Sequence, residues 1–145
     1  MTNIDMAQGY LKRARSRLVD APAALKRKDY PEAIRYSQEC VEISTKSVLR
    51  LFGIEYPGSH EVSDLILHNR EMFPDWFETE IDRVRIISRQ LSGVTGLAMY
   101  GDESSGTPPD ELFTQADASR AVEQARIVFD LASRLLEEFR TKVES

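Results

Sequence analysis

His60, His68, Cys40 and the trio Arg83, Arg85 and Arg89 carry the most distinctive chemistry in this chain. A metal site needs Cys, His or carboxylate ligands gathered around one ion. His60 and His68 stand eight residues apart on one short predicted helix. They share a face but lie ~12 Å apart along its axis, too far to share a metal. His-x-x-Glu-His, Cys-x-x-Cys and EF-hand spacings do not occur in the sequence. The reading is therefore no metal and no cofactor. Gly-x-x-x-x-Gly-Lys-Ser/Thr is also missing, and Gly93-x-x-Gly96 is not a dinucleotide fingerprint.

Arginines 85 and 89 are i, i+4 neighbours and project together from one helix face. They could hold a phosphate or pair with an acidic neighbour, and ion pairing is the commoner outcome. Glu42 and Lys46 form an i, i+4 pair with the acid first, the favourable order. Carboxylate pairs such as Glu137-Glu138 and Asp102-Glu103 match ordinary solvated faces and loops, and no pair is marked out for acid–base work. Cys40 falls on apolar helix positions, where a cysteine acts as a small hydrophobe.

Elements that position these groups can be read from periodicity. A first helix is predicted over residues 5–28, with Ile4, Ala7, Leu11, Ala14, Leu18, Ala21 and Leu25 in one stripe. Pro22 should kink or divide it. Asp29 and Pro31 open a second helix that Gly53 closes. Ser59 should cap a short helix over residues 59–69, and Asp75 a fourth helix whose end Gly93 and Gly96 weaken. Residues 101–110 read as a loop, and a last helix is predicted over residues 117–142. No segment alternates as a strand would. The fold class expected is all-α: an antiparallel bundle of four long helices and one short helix, in a single domain spanning residues 1–145.

Composition agrees with a globular bundle: of 145 residues, 41% are hydrophobic and 30% charged. A net charge of −5 disfavours broad binding to a polyphosphate backbone, though it permits a local basic patch. One cysteine allows no internal disulfide, which fits a reducing compartment. Lys12, Arg13, Arg15 and Arg17 interrupt any signal-peptide-like run, and no stretch approaches the ~18 apolar residues of a spanning helix. A cytoplasmic protein without membrane contact is expected. Ile127 and Leu131 lie away from the main stripe of the last helix and are candidates for a dimer interface.

Residues 36–49, Tyr-Ser-Gln-Glu-Cys-Val-Glu-Ile-Ser-Thr-Lys-Ser-Val-Leu, are followed at residues 59–65 by Ser-His-Glu-Val-Ser-Asp-Leu. This pairing resembles HEPN domains, small prokaryotic helical bundles often encoded beside minimal nucleotidyltransferases. The positions that match are Gln38, Glu42, Lys46, Ser59, His60 and Glu61. Residues 113–136 resemble the family's last helix, so the likeness runs over about residues 5–139. It implies a four- to five-helix bundle, commonly a homodimer, linked to nucleotide or RNA binding. Some relatives are toxin ribonucleases of toxin–antitoxin pairs and carry an arginine followed four to six residues later by a histidine.

That arginine–histidine spacing is missing here, and Met99 precedes Tyr100 where many relatives have Arg-Tyr. Without the histidine there is no evident acceptor for a ribose 2′-hydroxyl proton. The expectation is a non-catalytic module, homodimeric, that binds nucleotide, RNA or a minimal nucleotidyltransferase. Lys46, His60, Arg85, Arg89 and Tyr100 are its candidate binding residues. Two alternatives stay open: an RNA-cleaving toxin with displaced catalytic residues, and a structural dimerisation module.

Overall fold

The computed structural model describes residues 3–56, 58 and 61–144. Helix α1 (Asn3–Lys26) buries Ala7, Leu11, Ala14, Ala21 and Ala24. Four of these five are alanines, so α1 can approach its neighbour closely. Helix α2 (Tyr30–Leu51) packs antiparallel along it, and the Ser47 hydroxyl donates to the Ala7 carbonyl oxygen at 2.9 Å across the contact. Pro22 does not divide α1 as expected. The fully buried Ala21 and Ala24 on either side anchor the segment against α2, which offsets one missing helical hydrogen bond.

The turn between α1 and α2 is a Schellman closure. Lys28 N–H donates to the Leu25 carbonyl at 3.0 Å and Asp29 N–H to that of Ala24 at 2.9 Å. Lys28 takes the left-handed position, with φ 65°. Asp29 then caps α2 as expected, accepting from Glu32 N–H at 3.4 Å. The far end of α2 closes in the same way at Gly53, whose φ is 69°.

Helix α2 is the central element, packed against α1, α3 (Val62–His68), α5 (Ile81–Tyr100) and α6 (Gln115–Glu144). Its buried Ser37 and Thr45 satisfy their hydroxyls on the Ala33 and Val41 carbonyls, at 2.7 and 2.9 Å. The short helix α3 (Val62–His68) starts later than expected, with Glu61 in the capping place. Ser59, the expected cap, and His60 lie outside the described residues.

Asp75 begins a single turn, α4 (Asp75–Glu78), rather than capping one long fourth helix. The Thr79 hydroxyl donates to the Trp76 carbonyl at 2.9 Å, and Glu80 N–H bonds back three residues to Phe77. This tightened turn separates α4 from α5 (Ile81–Tyr100). The described residues thus form four long α-helices and two short ones, with single 3-10 turns at Arg70–Met72 and Pro109–Glu111. Gly93 and Gly96 do not end α5; buried Ala98 holds its last turns down, and Gly101 stops it with φ 76°.

Residues 101–110 form a closed loop in which Asp102 and Thr107 exchange backbone hydrogen bonds of 2.9 and 3.0 Å. Helix α6 (Gln115–Glu144) begins two residues before the expected Asp117. The reason is a reciprocal cap: Asp117 N–H donates to Thr114 Oγ1 at 3.2 Å, and Thr114 N–H to Asp117 Oδ2 at 3.0 Å.

Side chains from all four long helices meet in one apolar core. At one end an aromatic cluster joins Phe52, Phe73, Phe77 and Phe139, with ring centroids 4.7 to 5.7 Å apart. Phe77 is 1% exposed, and burying such a side chain stabilises the fold by roughly 1.5–3 kcal/mol. Trp76 ties α4 to α6, donating to Glu138 at 2.9 Å beneath the Arg134 guanidinium. No helix among the described residues is long and apolar enough to cross a membrane.

Candidate functional site

Residues that carried the chemical reading gather where α2, α3 and α5 meet. Arg85 donates to Asp64 Oδ1 from Nε at 3.2 Å and from Nη2 at 2.9 Å. Arg89 Nη2 donates to the same oxygen at 2.8 Å. The two arginines therefore act as a paired clamp on one carboxylate. The Arg85 and Arg89 guanidiniums hold the Asp64 carboxyl below the ordinary aspartate range, the hydrogen bond from Arg85 contributing most. Two cations on one anion leave an excess positive charge, and the Arg89 side chain is 57% exposed. Arg83 stands apart, 3.8 Å from Glu80.

Between the two arginines on α5, Ser88 donates to Glu61 Oε1 at 2.7 Å, and Ser63 Oγ donates to it at 2.9 Å. Glu61 thereby fastens the start of α3 to α5. Beside it is a small polar cavity of about 70 Å³ whose lining includes Gln38, Glu42, Thr45, Glu61 and Ser88. Lys46 pairs with Glu42 of its lining at 3.7 Å, with its ammonium 5.7 Å from the centre of the Tyr56 ring.

The other sequence candidates are more scattered. Tyr100 is 66% exposed at the end of α5. His68 is exposed on α3, and His60 lies outside the described residues. Ile127 and Leu131 are half-buried and pack against the core. Cys40 is fully buried, and burial pushes its thiol up to about 11. Among the described residues no group of three or more His, Cys, Asp or Glu could hold a metal ion.

Two features were not anticipated. Asp64 lies 21 residues from Arg85, so no local pattern announces their bond. Arg50 did leave a signal: Gln38, Glu42, Lys46 and Arg50 follow one another at four-residue steps along α2. Arg50 Nε donates to the Tyr56 hydroxyl at 3.1 Å, and that hydroxyl is 3.2 Å from the hydroxyl of Tyr10.

Residues 7–136 match the HEPN domain family. This chain belongs to the HEPN family. The chain is similar to a Methanocaldococcus jannaschii protein named "Putative toxin MJ1304", 29% identical over 141 residues, covering 94% of this chain and 91% of that one. In three dimensions the chain is similar to the crystal structure of ST0689, an archaeal HEPN homologue. The TM-score is 0.63 at 24% identity, with 90% of this chain and 97% of that chain covered. The likeness to ST0689 concerns the all-α fold. In this HEPN chain, three of the positions that carried the family resemblance, Gln38, Glu42 and Glu61, line one cavity. The fourth described one, Lys46, is bonded to Glu42.

Proposed function

We propose that this HEPN chain is the binding component of a two-component, toxin–antitoxin-like system. It acts as a homodimer on nucleotide or RNA, beside a minimal nucleotidyltransferase partner, without arginine–histidine cleavage chemistry. The observation that carries the reading is the pairing of both Arg85 and Arg89 with Asp64. These arginines brace α5 against α3, and neither has a histidine four to six residues after it in the sequence. Exposed Arg89 keeps a free edge of positive charge suited to a phosphate. The name of the Methanocaldococcus jannaschii relative supports the two-component setting. Ile86, 56% exposed on α5, lines a shallow groove with Ile127 of α6, which supports a self-association face there.

Incubating the purified protein with single-stranded RNA tests the reading. Retention of intact RNA is the expected result; fragments whose formation disappears in Arg89→Ala would establish the cleaving toxin instead. Solution mass measurement should give twice the chain mass for the wild type, and the chain mass for Ile127→Asp. A wild type that is strictly monomeric and binds no RNA, nucleotide or nucleotidyltransferase would sink the proposal.

A further inference from the structure

A concentration of positive charge with few carboxylate partners lies away from the Asp64 clamp, where the first half of α1 passes the end of α2. Tyr10 leans toward the N-terminus of α1, as helical side chains do, and so reaches the last turns of antiparallel α2. There its hydroxyl meets that of Tyr56. The Arg50 guanidinium is 5.8 Å from the Tyr10 ring centre and 5.2 Å from that of Tyr56. Arg13 stands 5.9 Å from the Tyr10 ring centre, and Lys46 approaches Tyr56 from the next turn of α2. Three cations thus surround two aromatic rings.

The electrostatic balance separates this cluster from most of the other surface arginines. Most of those are paired: Arg17, Arg35, Arg85, Arg89 and Arg134 each meet a carboxylate. Arg13 and Arg50 form no ion pair among the described residues, although the chain as a whole carries −5. Lys46 is only loosely matched by Glu42 at 3.7 Å. Beside Arg50 and Tyr56 opens a groove of about 480 Å³, within the ~300–1,000 Å³ typical of small-ligand sites. Asn3, Gly53 and Ile54 also line it, and exposed Glu55 contributes the opposing charge.

We infer that Tyr10, Arg13, Lys46, Arg50 and Tyr56 form a binding site for nucleotide phosphate, with the base stacked on a tyrosine ring. Cations flanking aromatic faces are the pairing that a phosphate joined to a planar base requires. Arg50 has a second role, since its bond to the Tyr56 hydroxyl fixes the ring that would carry the base. The hydrogen bond from Tyr56 lowers the Tyr10 phenol below its ordinary value, consistent with a hydroxyl pair inside a positive field. The phosphate could belong to a single-stranded RNA or to a free nucleotide. The inference rests on the reading that the chain binds nucleotide or RNA, and it adds a phosphate surface separate from the exposed edge of Arg89.

The test is fluorescence anisotropy with a fluorescein-labelled single-stranded RNA decamer, with ADP and inorganic pyrophosphate as competitors. Four variants are compared with the wild type: Arg50→Glu, Tyr56→Ala, Tyr56→Phe and the charge-matched control Arg126→Glu. The inference expects Arg50→Glu to weaken binding at least tenfold and to flatten its salt dependence. Tyr56→Ala should weaken it about fivefold, Tyr56→Phe less, and Arg126→Glu less than twofold. Displacement by ADP would assign the site to free nucleotide, and failure of ADP to displace would assign it to the strand. Binding that survives Arg50→Glu overturns this inference and leaves the broader reading standing. So does equal competition by pyrophosphate and ADP with Tyr56→Ala unaffected. A wild type that binds neither RNA nor ADP overturns both. Circular dichroism of each variant verifies folding, which exposed Arg50 should not alter.

Discussion

Arg85 of α5 holds Asp64 of α3 by two hydrogen bonds to a single carboxylate oxygen, at 3.2 and 2.9 Å. Through that oxygen a seven-residue helix, too short to persist alone, is fixed to a twenty-residue one. Arg89 adds a third bond from one turn further on.

This clamp should respond to acid. The folded state lowers Asp64 below its ordinary value of 3.8, so its ionised form is the one that the fold favours. The stabilisation is complete above 3.8 and is lost as pH falls through the lowered folded value. Asp64→Asn should remove that acid-dependent part. Amide hydrogen exchange should then be faster in α3 at neutral pH, with little change in α1. Equal protection of α3 in both proteins would mean that the clamp is energetically idle.

Gly101 should tolerate no side chain. Its φ of 76° and ψ of −169° lie where glycine alone is comfortable, and a Cβ there would run into the Thr107 carbonyl oxygen. Gly101→Ala should cost about 2–3 kcal/mol and lower the melting temperature by about 5–10 °C. Thermal denaturation measures it, and a shift below about 2 °C would contradict the geometry.

Lys28 presents the opposite case. It holds the left-handed position of the α1–α2 turn at φ 65°, where a Cβ is unfavourable. Lys28→Gly should raise stability by about 0.5–1 kcal/mol, after the greater chain entropy of glycine is subtracted. Chemical denaturation should show a higher midpoint with an unchanged slope.

Cys40 should be inert in the folded protein. It is fully buried, and burial pushes its thiol up to about 11, so little thiolate exists near neutrality. A disulfide reagent added at about pH 8 should label it only on the unfolding timescale, and promptly once denaturant is present. Fast labelling of the native protein would show that the α2–α6 contact opens readily.

Much of the bundle was legible in the sequence because helix formation is local. The three- and four-residue apolar steps of α1, α2 and α6 place Ala7, Leu11, Val41, Val48, Ala125 and Val128 inside, as that spacing requires. Asp29 with Pro31, and Gly53, mark the ends of α2 because capping and left-handed turns depend on the residues themselves. The Gln38, Glu42 and Glu61 grouping was legible through family resemblance, and the fold brings these three to one cavity.

Tertiary structure decided the rest. Whether Pro22 would break α1 depended on the depth of Ala21 and Ala24 against α2, which no local pattern encodes. The bond of Arg85 and Arg89 to Asp64, rather than to solvent, required α3 to be laid beside α5. The Tyr10–Tyr56 pair joins residues 46 positions apart. Local spacing determines which faces of a helix are apolar and where it starts and stops. Which charges neutralise one another, and which stay free for a ligand, is set only when distant helices are packed.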